Sequence, residues 1–166
     1  SAGGHLAACA GALYDARTST VGKSRKSIVS ARPDFLVLLY PVITFVGPDS
    51  HKGSRAHLLG QDPPEKMLLN LSLERHVTAD APPTFLVHAL DDTVVPAANS
   101  RAFHEALLRA GVPSELHLFE RGFHGFGLGV GQGSVGEWPL RCERWLHARG
   151  YLPERRCGSR TLAEKL

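Results

Sequence analysis

Ser1, the adjacent pair Asp91 and Asp92, and His124 are the side chains in this sequence whose types could combine into one reaction. A serine hydroxyl is a poor nucleophile at neutral pH unless an imidazole takes its proton as it attacks. The imidazole in turn needs a carboxylate on its other ring nitrogen, which holds the tautomer and stabilises the cation formed in the transition state. Together they would support acyl transfer through an ester on Ser1. Each residue also has a plainer use: a serine at a helix start commonly caps it, an aspartate in a loop commonly binds nearby amides, and a histidine among glycines is commonly an ordinary loop residue. The choice depends on whether the surrounding elements bring the groups to one place.

Those elements alternate between helix and strand, which predicts a parallel α/β sheet. Leu6, Ala10 and Leu13 recur at helical spacing, giving a helix over about residues 2–14, and Gly3 and Gly4 near its start would let it approach a strand closely. Residues 15–31 are polar and read as a loop. The run Phe35-Leu36-Val37-Leu38-Leu39-Tyr40, between Pro33 and Pro41, has the continuous apolar character of a strand covered on both faces. A long connection over 44–83 follows, with a helix start at Asp62-Pro63-Pro64 ahead of Met67, Leu68 and Leu71. Thr84 to Ala89 is the second strand. A helix after Pro96 places Ala102, Phe103, Ala106, Leu107 and Ala110 on one face and stops at Gly111 and Pro113. Leu116, Leu118 and Phe119 mark a third strand, a Gly-rich loop covers 122–136, and a last helix spans about 138–149, with Pro139 near its start and Gly150 as its cap. Residues 153–166 form a polar, basic tail.

In a parallel sheet the carboxyl ends of the strands form the crevice where ligands bind. Asp91 and Asp92 follow the second strand, His124 follows the third, and Ser1 stands at the mouth of the first helix. His5 reads as a structural neighbour beneath that turn, His88 as a hydrogen-bonded core residue, and Trp138 and Trp145 as helix-packing residues.

Composition narrows the class. The chain has 166 residues, 43% apolar and 21% charged, the profile of a globular domain large enough to bury roughly 70% of its unfolded surface without disulfides or a structural metal. Nineteen basic against sixteen acidic residues leave a net charge of only +3, so nucleic-acid binding is not implied. Cys9, Cys142 and Cys157 are too widely spaced for a metal knuckle, and no His-x-x-x-His pair with an associated acid occurs among the nine histidines. No metal or cofactor is expected. The glycines of 122–136 lack the Lys-Ser/Thr signature of a phosphate loop. No apolar stretch approaches the ~20 residues of a membrane span, so a soluble protein, cytoplasmic or secreted, is expected. The chain starts at Ser1 without a Met and with no strand ahead of its first helix, so it reads as a piece of something longer.

Ser1-Ala2-Gly3-Gly4-His5-Leu6-Ala7 resembles the second half of the G-x-S-x-G nucleophile elbow in the acetyl-xylan-esterase-like and lipase/esterase branch of the α/β-hydrolases. His88-Ala89-Leu90-Asp91-Asp92-Thr93-Val94-Val95-Pro96, with Ser100, is similar to that family's acid-bearing loop, and Gly122-Phe123-His124-Gly125-Phe126-Gly127-Leu128 to its histidine loop. Arg32-Pro33-Asp34 and Tyr40-Pro41-Val42-Ile43 around the first strand also fit. The likeness covers about residues 1–152, and the order Ser, Asp, His is that of the triad in this fold. It implies the C-terminal part of an α/β-hydrolase domain, about three parallel strands with flanking helices, with the earlier strands and the first oxyanion loop upstream.

The resemblance also implies roles. Ser1 is the nucleophile, His124 the general base, and the backbone N–H of Ala2 an oxyanion donor. Asp92 is preferred over Asp91 as the acid, because the family's acid is followed by x-x-V-P and that spacing falls on Asp92. The implied activity is hydrolysis of short-chain or sugar-linked carboxylic esters, acetyl groups on xylan foremost, and the substrate partner is a small-molecule or carbohydrate ester. A serine peptidase of the same fold, an N-terminal-nucleophile hydrolase using the Ser1 amine, and a silent binding module are the alternatives. The 44–83 connection lies where this fold often inserts a lid, and Ser50-His51-Lys52-Gly53-Ser54 is a candidate substrate contact. Without its second oxyanion donor the chain alone should be a poor enzyme.

Overall fold

Three short segments of the chain pair into one parallel sheet in a computed structural model that describes residues 1–14 and 30–153. β1 (Leu36–Leu39), β2 (Thr84–Ala89) and β3 (Ser114–Phe119) lie in the order β1-β2-β3. Leu36 registers with Thr84 and Leu39 with Val87, while Thr84 registers with Ser114 and Ala89 with Phe119. All three strands therefore end on the same side. β2 is buried at every position, as the central strand of a sheet covered on both faces must be.

Side-chain alternation divides the core into two layers. Leu36, Leu38 and Leu86 face one side, where Ala8 of α1 (Ala2–Ala12) and Phe103 and Leu107 of α4 (Ala98–Arg109) pack on them. Val37, Leu39, Phe85, Val87 and Ala89 face the other side, beneath Trp138, Cys142 and Trp145 of α5 (Trp138–Ala148). Both tryptophans are buried, as their helical spacing suggests. The Trp138 indole N–H donates to the Gly127 carbonyl at 2.8 Å and ties the Gly-rich loop to α5.

The 44–83 connection holds more structure than its sequence predicts. α2 (Lys52–Leu59) is an additional helix that buries none of its residues, and α3 (Glu65–Asn70) starts after Pro64. Asn99 pins the chain leaving β1 to α4: its Oδ1 accepts from the amides of Ile43 and Thr44, at 2.8 and 3.1 Å, and its Nδ2 donates to the Asp49 carbonyl at 2.9 Å. The Arg32 guanidinium binds the carbonyls of Asp80 and Ala81, so the segments leading into β1 and β2 are held side by side. The first helix ends at Ala12, two residues before the expected end. The loop expected over 15–31 and the tail expected over 153–166 fall almost wholly outside the described residues, as does Cys157. Among the described residues no helix is long and apolar enough to cross a membrane.

Candidate active site

Ser1 owes its position to close contact between α1 and the end of β1. A Cβ built on Gly4 would stand 2.7 Å from Pro41 Cβ and 2.9 Å from Pro41 Cα, and one on Gly11 would stand 2.6 Å from a Leu36 methyl carbon. At Gly4 the obstacle is the Pro41 backbone, so glycine is required there, whereas the Leu36 methyl facing Gly11 can shift. The Ser1 carbonyl accepts from the His5 amide at 3.0 Å and from the Val42 amide at 3.3 Å, which fixes the helix start beside the segment following β1. Ser1 is the N-cap residue of α1, yet its side chain makes no capping hydrogen bond. Its hydroxyl lies 3.1 Å from His124 Nε2.

His124 reaches this point from the loop after β3. Its Nδ1 is 2.7 Å from Asp92 Oδ2. An ionised carboxylate only accepts, so Nδ1 carries the proton and Nε2 presents a lone pair to the Ser1 hydroxyl, which donates to it. The Asp92 side chain is fully buried and the His124 side chain is 20% exposed, so the imidazole bridges a dry acid and a wet mouth. The other carboxylate oxygen, Oδ1, accepts from the amides of Val94 and Val95, both at 2.9 Å. Burial by itself would raise the Asp92 pKa. The hydrogen bonds from His124, Val95 and Val94, with the charge of His124, together outweigh it and hold the carboxyl below its ordinary value.

The two aspartates have separate partners. Asp91 Oδ1 accepts from the amides of Gly122 and Phe123, at 3.0 and 2.8 Å, and so clamps the start of the histidine loop to the end of β2. Asp91 is thus a loop-capping carboxylate, and Asp92 alone of the pair bonds the His124 ring.

Tyr40 is a site residue that the sequence reading missed. Its ring meets the His124 ring edge-on at 5.0 Å, and its hydroxyl oxygen accepts from the Gly127 amide at 3.3 Å. Tyr40 and Phe123 are the non-glycine residues with positive φ among those described, at 38° and 54°, and both adjoin His124. Backbone strain of this kind persists where the surroundings over-determine it, often beside functional groups. An aromatic residue at the carboxyl end of a strand, followed by Pro41, was the available signal.

Three further histidines are held by hydrogen bonds within the fold. His5 Nε2 donates to the Leu71 carbonyl at 2.9 Å, and burial lowers its pKa despite that carbonyl. His88 is fully buried and hydrogen-bonded, as read from its place in an apolar strand. His51 Nδ1 accepts from the Ser54 amide at 3.2 Å and caps α2. No group of three or more potential metal ligands occurs among the described residues.

Taken together, a hydroxyl, an imidazole and a buried carboxylate stand in one hydrogen-bonded line at the carboxyl edge of a parallel sheet. The BD-FAE family profile matches residues 1–107. The chain belongs to the BD-FAE family. This BD-FAE chain is 42% identical over 97 residues, 58% of its length, to endo-1,4-beta-xylanase B of Butyrivibrio fibrisolvens, and 34% identical over 136 residues, 78% of its length, to the acetylxylan esterase of Xylanibacter ruminicola. The matches span 15% and 25% of those two relatives. Among solved structures it is similar to the acetyl ester-xyloside bifunctional hydrolase of Caldicellulosiruptor lactoaceticus, with a TM-score of 0.84 and 42% identity, covering 92% of this chain and 56% of that one. Its three parallel strands and flanking helices belong to the α/β-hydrolase fold.

Proposed function

We propose that this BD-FAE chain carries the catalytic triad of a serine carboxylester hydrolase acting on short-chain or carbohydrate-linked esters, with acetylated xylan as the substrate class. The observation that carries the reading is the Ser1 hydroxyl directed at His124 Nε2, 3.1 Å away, instead of capping its own helix. The acetylxylan esterase and the acetyl ester-xyloside hydrolase among its relatives support the choice of ester.

In the proposed reaction, Ser1 Oγ attacks the ester carbonyl carbon while His124 Nε2 takes the hydroxyl proton. The carbonyl oxygen becomes an oxyanion and meets the N–H of Ala2, which belongs to the first turn of α1, where amides lack intrahelical partners. Asp92 stabilises the imidazolium. His124 then returns the proton to the departing alcohol oxygen as the C–O bond breaks, leaving an acyl group on Ser1. Water, deprotonated by the same nitrogen, attacks that acyl group and frees the acid and the Ser1 hydroxyl.

The test is release of acetate from acetylated xylan, and of p-nitrophenol from p-nitrophenyl acetate, by the gene product carrying this chain and by its Ser1→Ala variant. Loss of both activities in the variant is expected. Equal turnover by the two proteins would contradict a serine mechanism.

A further inference from the structure

A second histidine lies under the Asp92 carboxylate, and the acyl-transfer steps leave it unused. His88 Nε2, on β2, stands 3.2 Å from Asp92 Oδ2 and 2.9 Å from the Val95 carbonyl oxygen. Both neighbours only accept, so Nε2 carries the proton and shares it between them. Nδ1 therefore holds a lone pair, and the Ser100 hydroxyl on α4, 2.7 Å away, donates to it. The tautomer is fixed from both sides. His88 and Ser100 are both fully buried.

The Asp92 carboxylate thereby receives four N–H groups. Val94 and Val95 donate to Oδ1, and His124 and His88 donate to Oδ2. Rotating the carboxylate away from His124 would break bonds on both oxygens, so the acid is held in one orientation. The sharing also has a chemical consequence, because each N–H that the carboxylate accepts stabilises its negative charge and leaves it drawing less strongly on the others. The titratable groups whose charge reaches His88 are Asp92 and His124, and α4 presents the neutral Ser100 hydroxyl to it. Asp91 is engaged with the amides of Gly122 and Phe123.

We propose that His88, locked by Ser100, is a positioning residue that anchors Asp92 beneath His124 and moderates how strongly the carboxylate retains the imidazole proton. This inference rests on the serine-hydrolase reading. Without the His88 donor, the charge of Asp92 falls more fully on His124, which then releases its proton less readily. The acid limb of the pH dependence of kcat/KM, which reports the free enzyme's essential base, moves to higher pH.

The experiment is the pH profile of p-nitrophenyl acetate hydrolysis by the gene product carrying this chain, by His88→Met, His88→Gln and Ser100→Ala, and by Ser1→Ala as a control. His88→Met removes the donor at similar volume and should raise the acid limb by about half a pH unit or more, with a several-fold lower kcat and little change in KM. His88→Gln retains an N–H donor and should return the limb most of the way. Ser100→Ala weakens the lock and should shift the limb in the same direction by less, which keeps the inference testable if His88→Met does not fold. Ser1-dependent activity whose acid limb is unchanged in His88→Met, or in Ser100→Ala where only that variant folds, overturns the inference and leaves the hydrolase reading standing. Turnover that survives Ser1→Ala overturns the hydrolase reading and the inference with it.

Discussion

The Ser1 hydroxyl lies 3.1 Å from His124 Nε2, although 123 positions of sequence separate the two residues. That contact joins the start of α1 to the loop after β3 and depends on all three strands ending on one side. Each part of the arrangement can be tested separately.

Asp92 and Asp91 differ in what they hold. Asp92→Asn removes the acceptor that fixes the His124 tautomer and should lower kcat by about 10⁴-fold. Asp91→Ala loosens the loop through the amides of Gly122 and Phe123 and should cost only about tenfold. Steady-state kinetics of the two variants check this, and an equal or reversed order would contradict the assignment of the acid.

The fit of α1 against Pro41 predicts opposite outcomes at adjacent glycines. Gly4→Ala drives a Cβ into the Pro41 backbone and should destabilise the fold by about 1–3 kcal/mol while lowering kcat through displacement of Ser1. A Cβ on Gly3 meets nothing within 4 Å, so Gly3→Ala should be neutral or stabilise by up to about 1 kcal/mol. Chemical denaturation of both variants decides, and a Gly4→Ala protein as stable as Gly3→Ala would show that the approach is not tight.

Tyr40 touches His124 through its ring and Gly127 through its hydroxyl. Tyr40→Phe keeps the ring and should change kcat by only about two- to threefold, the effect of one exposed neutral hydrogen bond. Tyr40→Ala removes the wall against which the imidazole rests and should lower kcat by about tenfold or more. Equal kcat for the two variants would remove the ring from the account.

Acidification should weaken the fold in two stages. Burial lowers the pKa of His5 and His88 from 6.5, so the folded state keeps both neutral while the unfolded chain takes up protons. Stability is then full above about pH 6.5 and declines as the pH falls below it. The lowered Asp92 pKa adds a further loss as the pH drops below 3.8. Thermal midpoints at pH 8, 6.5 and 5 test the first stage, and a midpoint unchanged between pH 8 and 5 would contradict it.

Much of the scaffold was legible because its signals are local. Pro33 and Pro41 bracket β1, the run from Thr84 to Ala89 coincides with β2, and Gly111, at a φ of 72°, ends the helix before β3. Helix α2 was not legible: it buries none of its residues, contains Gly53 and is capped by a histidine, so it carries neither an apolar stripe nor the usual cap. The x-x-V-P spacing set Asp92 apart from Asp91, but the amides that Asp91 clamps were hidden, since they lie 31 and 32 positions away. Tyr40 sat at a readable strand end, but its positive φ and its contact with His124 arise only from tertiary packing.

The proposed reaction turns on activation of the Ser1 hydroxyl by His124, 3.1 Å away. Treating the gene product carrying this chain with a fluorophosphonate and mapping the modified peptide by mass spectrometry tests it most directly. The adduct should form on Ser1 and be lost, along with esterase turnover, in His124→Ala. An enzyme that hydrolyses esters while its adduct forms on another residue, or that labels equally well without His124, would contradict the account.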